Sequence, residues 1–296
     1  MEYLNNCPVC NHPEFTNVLE LQDYFLTKES FTIVTCTCCG FKYTQPRPHP
    51  QQLQRYYQSS EYISHSNKTK GLYAWAYQKA RYFALRSKYK TIEHLHPKGF
   101  LLDIGCGTGE FLMTGQKRGW TVTGMEPNPQ AREQATQNYK LTVYKEEDLD
   151  TLKERQFDVI TLWHVLEHVS SLEKTITNLN RLLKDDGLLV IAVPNAASKD
   201  AVIYGKYWAA YDVPRHLYHF TQETLARLLK RFSLKVVKRK PMTLDAFYIS
   251  LLSEEYLTGK KRYFPAIING IHSNCWALFH QQNYSSLIFL CEKEKT

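Results

Sequence analysis

FLLDIGCGTGEFL, residues 100–112, leads from an apolar strand through a glycine loop into a helix. Phe100 to Ile104 read as a buried strand interrupted by one acid, Asp103, and an amphipathic helix starts at Glu110 and ends near Gly119. Between them stand Gly105, Gly107 and Gly109. Glycines there let a ligand approach the backbone and let helix and sheet pack closely, while N–H groups at the helix start serve polar ligand atoms. A second strand, WTVTGM (Trp120 to Met125), ends in Glu126, 21 residues after Gly105. An acid so placed can accept hydrogen bonds from both hydroxyls of a ribose. The G-x-G-x-G spacing departs from the G-x-G-x-x-G of dinucleotide sites, which argues against NAD or FAD.

Downstream, strand and helix patterns alternate. LTVYKEEDLDTL (141–152) reads as a strand with an acidic turn, and FDVITLWHVLEHV (157–169) as a strand breaking into a polar segment. Ser170 and Glu173 are spaced as a capping box opening the helix LEKTITNLNRLL, and DDGLLVIAVPN (185–195) is a turn and a buried strand. LKVVKRKP and SSLIFLCEK read as the last two strands. The segment between them, near 242–284, is too long for a simple connection and should be helical. Its apolar faces suit an acceptor pocket, a greasy carrier or core packing. This order predicts an α/β fold: a mostly parallel sheet, helices on both faces, and ligands at the carboxyl ends of the strands.

From about Pro97 to Lys295 the chain resembles the class I S-adenosylmethionine-dependent methyltransferases, closest to their ubiquinone-biosynthesis-like branch, where LEHV and LLxxxGxLxxxxPN recur. The resemblance implies a Rossmann-like seven-stranded sheet. It also implies that Asp103 and the loop of Gly105, Gly107 and Gly109 hold the methionine part of the cofactor S-adenosyl-L-methionine, Glu126 its ribose, and Asp148 and Leu149 its adenine side. Similar methyltransferases carry a PRH stretch after the fifth strand, matched here in YDVPRHLYHF (211–220). A hydroxyl acceptor must lose a proton, and histidine is the usual base near neutral pH. His216 is the first candidate, His219 the second, and His164 a rival beside the fourth strand. His168 is expected to be hydrogen-bonded inside a helix. Arg215, Asp212 and Tyr218 are candidate substrate-binding residues, with Arg215 suited to a carboxylate or phosphate. The alternative makes the stretch a connection: Thr221 caps the helix QETLARLLKRF, Arg215 pairs with Asp212, and the histidines face solvent. Cys106 reads as a packing residue.

Five of eight cysteines lie in the first forty residues. CPVC (Cys7, Cys10) and CTCCG (Cys36, Cys38, Cys39) are two knuckles, each able to present two thiolates about 2.3 Å from one tetrahedral zinc. Cys7, Cys10, Cys36 and Cys39 form a closed structural set, leaving Cys38 spare. FTIVTC between them alternates like a strand, as in a zinc ribbon. Such a ribbon followed by a helical cover also resembles sugar C-methyltransferases of antibiotic pathways. The expected domains are 1–46, the zinc ribbon; 47–96, a linker and helical cover; and 97–296, the catalytic domain. The cover helix is expected from Leu72 to Leu95, with Leu72, Trp75, Ala76, Lys79 and Phe83 near helical spacing.

With 43% hydrophobic and 22% charged residues the composition is that of a soluble globular protein. No apolar run reaches the ~18 residues of a membrane span, and MEYLNNCPVC lacks the regions of a signal peptide, so a cytoplasmic location is expected. A formal charge of +8 favours anionic partners in general. The expected activity is methyl transfer to a small molecule: a sugar, a quinone-like ring or a lipid-linked intermediate. An RNA methyltransferase that docks through the ribbon is the alternative enzyme. Against it, TLWHVLEH holds neither an NPPY-like run nor a Pro-Cys pair. A binding protein that retains the fold is the third reading.

Overall fold

The computed structural model of the chain describes residues 1–57 and 72–294, and side chains from Phe83 onward in the second range. The chain forms two compact units, one of residues 1–59, 164–173 and 191–289, the other of 60–163, 174–190 and 290–296.

In the first unit, β1 (Phe15–Gln22) and β2 (Ser30–Cys36) pair antiparallel, and β2 pairs with β3 (Lys42–Thr44). The alternation of β2 turns Phe31 and Ile33 inward, where they join Leu21 and Tyr56 in one buried cluster. In the second unit, α1 (Leu72–Glu93) precedes an alternation of strand and helix: β4 (Phe100–Ile104), α2 (Glu110–Lys117), β5 (Thr121–Met125), α3 (Pro129–Tyr139), β6 (Val143–Tyr144) and β7 (Phe157–Trp163). β4 pairs parallel with both β5 and β7, and β5 pairs parallel with β6. Buried on both faces, β4 needs an apolar run, which explains why Leu101, Leu102 and Ile104 surround Asp103. The apolar spacing expected at Leu72, Trp75, Ala76 and Lys79 lies outside the described side chains. Phe83 is exposed, and Tyr89 and Ile92 are buried.

The remaining elements are α4 (Leu172–Leu182), β8 (Leu183–Pro194), α5 (Lys199–Tyr204), β9 (Tyr218–His219), α6 (Gln222–Lys230), β10 (Leu234–Pro241), α7 (Asp245–Thr258), α8 (Tyr263–Phe279) and β11 (Ser286–Lys293). The seven-stranded sheet has the order β10-β11-β8-β7-β4-β5-β6. The expected last strands are β10 and β11, and the expected helical insertion is α7 and α8. Thr221 caps α6 by accepting from the N–H of Thr224.

Several expectations change. α4 begins at Leu172, and His168 sits in a turn before it rather than inside a helix. β9 adds to the N-terminal strands, giving a second sheet of order β1-β2-β3-β9, with Lys42 opposite His219 and Tyr43 opposite Tyr218. The cysteine-bearing segment lies in the same compact unit as residues 191–289. A two-residue strand has no alternation to detect, and its partner is over 170 residues away. A buried carboxylate, Asp200, ties the same unit together by accepting from Trp208 Nε1 and Ser273 Oγ at 2.8 Å each and from Ser285 Oγ.

Candidate functional site

The glycine loop stands at the carboxyl end of β4, between parallel neighbours, and each of its glycines has a positive φ. At Gly109, the N-cap of α2, φ is 87° and a Cβ would stand 2.6 Å from Leu141 Cδ1, so glycine serves both conformation and helix packing. At Gly107 a Cβ would meet no atom of the described residues within 4 Å, so among these the loop is an open cradle there. Gly107 N–H donates to Glu126 Oε2 at 2.8 Å, and Asn128 N–H donates to Oε1 at 2.9 Å. Glu126 is thus held at the end of β5 against the loop. Burial pushes its carboxyl up, opposed by those two N–H groups.

Asp103 is fully enclosed and accepts from Thr161 Oγ1 at 2.5 Å. Burial pushes its carboxyl up to about 7, against the pull of that bond and of Lys88. A cavity of about 250 Å³ is lined by Asp103, Gly105, Glu110, Phe111, Lys88 and Trp163, with the Lys88 ammonium 4.0 Å from the centroid of the Trp163 ring. Lys88 and Trp163 had no signal in the sequence beyond lying on a helix and at a strand end. Glu126 N–H donates to Tyr144 O, so the short helical turn after β6 that carries Asp148 and buried Leu149 follows the strand neighbouring Glu126. Cys106 is buried and its thiol is pushed up by burial, as a packing residue.

In the other unit His216 and His219 are buried, so neither faces solvent. His216 Nδ1 donates to Ala210 O at 2.8 Å, which fixes the tautomer and leaves the lone pair on Nε2. Its ring meets that of His168 edge to face at 4.5 Å. His168 Nδ1 lies 3.0 Å from Arg215 O, and burial followed by His216 lowers His168 to about 4. Thr44 Oγ1 gives its proton to His216 O, so His219 Nε2 must donate to Thr44. That leaves His219 Nδ1 as a buried lone pair with no partner, and burial drives the ring well below its ordinary value.

His164 changes role. Its Nδ1 stands 3.3 Å from Glu167 Oε1 and its Nε2 3.2 Å from Asp245 Oδ2. Burial opposes its charge, but the two carboxylates outweigh it and push His164 up to about 10. The two carboxylates favour its charged form, which has no lone pair, and so disfavour His164 as the base. Its charge holds the buried Glu167 carboxyl low against the effect of burial.

Arg215, Asp212 and Tyr218 also turn inward. Arg215 donates from Nε to Asp212 Oδ2 at 2.9 Å, from Nη2 to Asp212 Oδ1 at 2.6 Å and Asp23 Oδ1 at 2.9 Å, and from Nη1 to Tyr56 O at 3.2 Å. A buried guanidinium is tolerated only with such partners, and little of its donor edge remains for a ligand. Tyr218 OH accepts from Arg47 Nη1 at 2.8 Å and donates to Ser170 O at 3.1 Å. Asp23, 192 residues from Arg215, carries no local sequence signal for this pairing.

The four predicted cysteines converge, with Cys7 Sγ 3.6 Å from Cys39 Sγ and Cys10 Sγ 3.5 Å from Cys36 Sγ, and all four sulfurs within 4.8 Å of one another. A tetrahedron with bonds of about 2.3 Å has sulfur edges of about 3.8 Å, close to these. Each knuckle closes on a left-handed residue, Asn11 at φ 62° and Gly40 at φ 70°. Cys38 is exposed and outside the group.

A family model for a methyltransferase domain matches residues 74–239. A ubiquinone biosynthesis O-methyltransferase of Glaesserella parasuis is 32% identical over 133 residues, covering 40% of this chain and 56% of that protein. The match thus spans about half the length of that relative. Among solved structures, an S-adenosylmethionine-dependent methyltransferase from Archaeoglobus fulgidus superposes with a TM-score of 0.51 at 20% identity, covering 75% of this chain and 100% of that one. A cyclopropane synthase from Mycobacterium tuberculosis superposes with a TM-score of 0.52 at 15% identity, covering 84% and 100%. At these identities the superpositions establish the fold alone.

Proposed function

The chain belongs to the methyltransferase domain family, and from that membership we propose that it moves the methyl group of S-adenosylmethionine onto a hydroxyl of a small organic acceptor. A sugar, a quinone-like ring or a lipid-linked intermediate fits this description. The observation that carries the reading is the open cradle at Gly107, flanked by the enclosed Asp103 carboxyl and by Glu126. These residues fit the group: Glu126 for the ribose hydroxyls, Asp103 and the loop for the methionine part, Asp148 and Leu149 for the adenine side. When bound, the cofactor supplies an electrophilic methyl carbon on a sulfonium.

His216 is assigned the base. With Nδ1–H donating to Ala210 O, its Nε2 lone pair would be free to take the proton of the acceptor hydroxyl, for which the cofactor would supply the methyl group. His219 is the weaker candidate because burial disfavours the charged ring it would become. A methyl-transfer screen across hydroxylated rings, sugars and lipid-linked intermediates tests the activity. His216→Asn should lower kcat by about 100-fold or more while leaving cofactor affinity unchanged. Normal turnover by that variant would remove the assignment.

The same reading places a structural zinc on Cys7, Cys10, Cys36 and Cys39. Four thiolates close the coordination shell, so the metal holds the ribbon and performs no chemistry. Elemental analysis of purified protein should find one zinc per chain, lost in a Cys7→Ser, Cys36→Ser variant together with a lower thermal midpoint. Full zinc retention in that variant would contradict the site.

A further inference from the structure

α8 turns the wrong way round for a helix of a water-soluble surface. At about 100° per residue, Phe264, Ile267, Ile268, Ile271, Leu278 and Phe279 share one face within an arc of about 120°. All six are exposed, Phe264 at 76% and Phe279 at 84%. The opposite face carries Ala266, Gly270, Ser273 and Ala277, all turned inward. Close packing demands those small residues. A Cβ on Gly270 would stand 2.6 Å from Phe247 Cδ1 of α7, and Ser273 Oγ must reach buried Asp200. The large apolar groups are therefore outside because the inside has no room for them.

This face carries no acid and no lysine or arginine within α8. It is preceded by Lys260, Lys261 and Arg262, all exposed, with Lys261 3.8 Å from Glu255 and Arg262 3.5 Å from Glu254, and Lys199 of α5 stands 5.8 Å from the Trp276 ring. An apolar stripe bordered by cations matches the acyl and headgroup layers of an anionic bilayer. No helix among the described residues is long and apolar enough to cross a membrane, so the fitting geometry is a helix lying in the interface.

We propose that α8 is a membrane-docking face which seats the protein on an anionic lipid surface. The full-length protein should cosediment with vesicles of phosphatidylcholine and phosphatidylglycerol, and less with phosphatidylcholine alone. Phe264→Glu with Ile271→Glu should weaken partitioning by at least about tenfold, with an unchanged thermal midpoint because both side chains already face outward. Lys260→Glu with Lys261→Glu should remove the preference for anionic vesicles, as should high salt. The proposal is overturned if the wild type stays in the supernatant or if Phe264→Glu, Ile271→Glu binds equally. It is also overturned if that variant instead abolishes a dimer seen by analytical ultracentrifugation, which would make a second copy the occupant. Vesicle binding is read without cofactor or acceptor, so it can fail while the methyltransferase reading stands.

Discussion

Gly107→Arg is expected to abolish S-adenosylmethionine binding by isothermal calorimetry, an affinity loss of at least about 100-fold. Two effects act together. The residue sits at φ 54°, where a side chain costs about 1–2 kcal/mol, and the open space beside it would be filled by a guanidinium. That cation would also be drawn to Glu126, whose Oε2 accepts from the Gly107 N–H. Because no atom of the described residues crowds the position within 4 Å, the variant should still fold, and its circular dichroism should match the wild type. Wild-type affinity in the variant, or no binding by the wild type, would sink the cofactor assignment.

Arg215→Met is expected to destabilise the protein by about 3–5 kcal/mol in chemical denaturation, the cost of leaving buried charge unpaired. Arg215 is 2% exposed, Asp23 0%, and both carboxylates it holds are lowered despite burial. The pH dependence gives a signature that lost packing would not. In the wild type the Asp23 and Asp212 carboxyls have folded values below their unfolded ones. Their contribution is present above the unfolded value, about 3.9, and is lost as pH falls through the folded values. Without Arg215 the largest lowering influence on both is gone, while Asp23 keeps the N–H groups of Leu26 and Thr27 and Asp212 keeps His216 and His168, so the variant should lose less stability than the wild type as pH falls through the range where they protonate. A variant with the wild-type acid dependence would show that Arg215 matters only as a space-filler.

The glycine loop, Glu126 and the four cysteines were legible because their signals are local. A strand-loop-helix pattern and two short knuckles are written within a few residues, and β4, β5, β10 and β11 appeared where apolar runs predicted them. The stretch YDVPRHLYHF was harder. Its density of polar groups pointed to chemistry, yet Tyr218 and Arg215 spend most of their polar groups on internal partners. Residue type alone does not say whether a guanidinium meets a ligand or a distant aspartate.

The order of elements, the glycine loop and the cysteine set were determined by the sequence itself, because each depends on spacing along the chain. Tertiary structure alone decided three things. His164 was set between the carboxylates of Glu167 and Asp245, His216 acquired a tautomer from Ala210, and β9 joined the N-terminal strands. In the first and last, the contact with Asp245 and the strand pairing join residues far apart in the chain, which only folding brings within a few ångströms. In His216 the partner is six residues away, but the bond forms only because the folded loop turns back on itself.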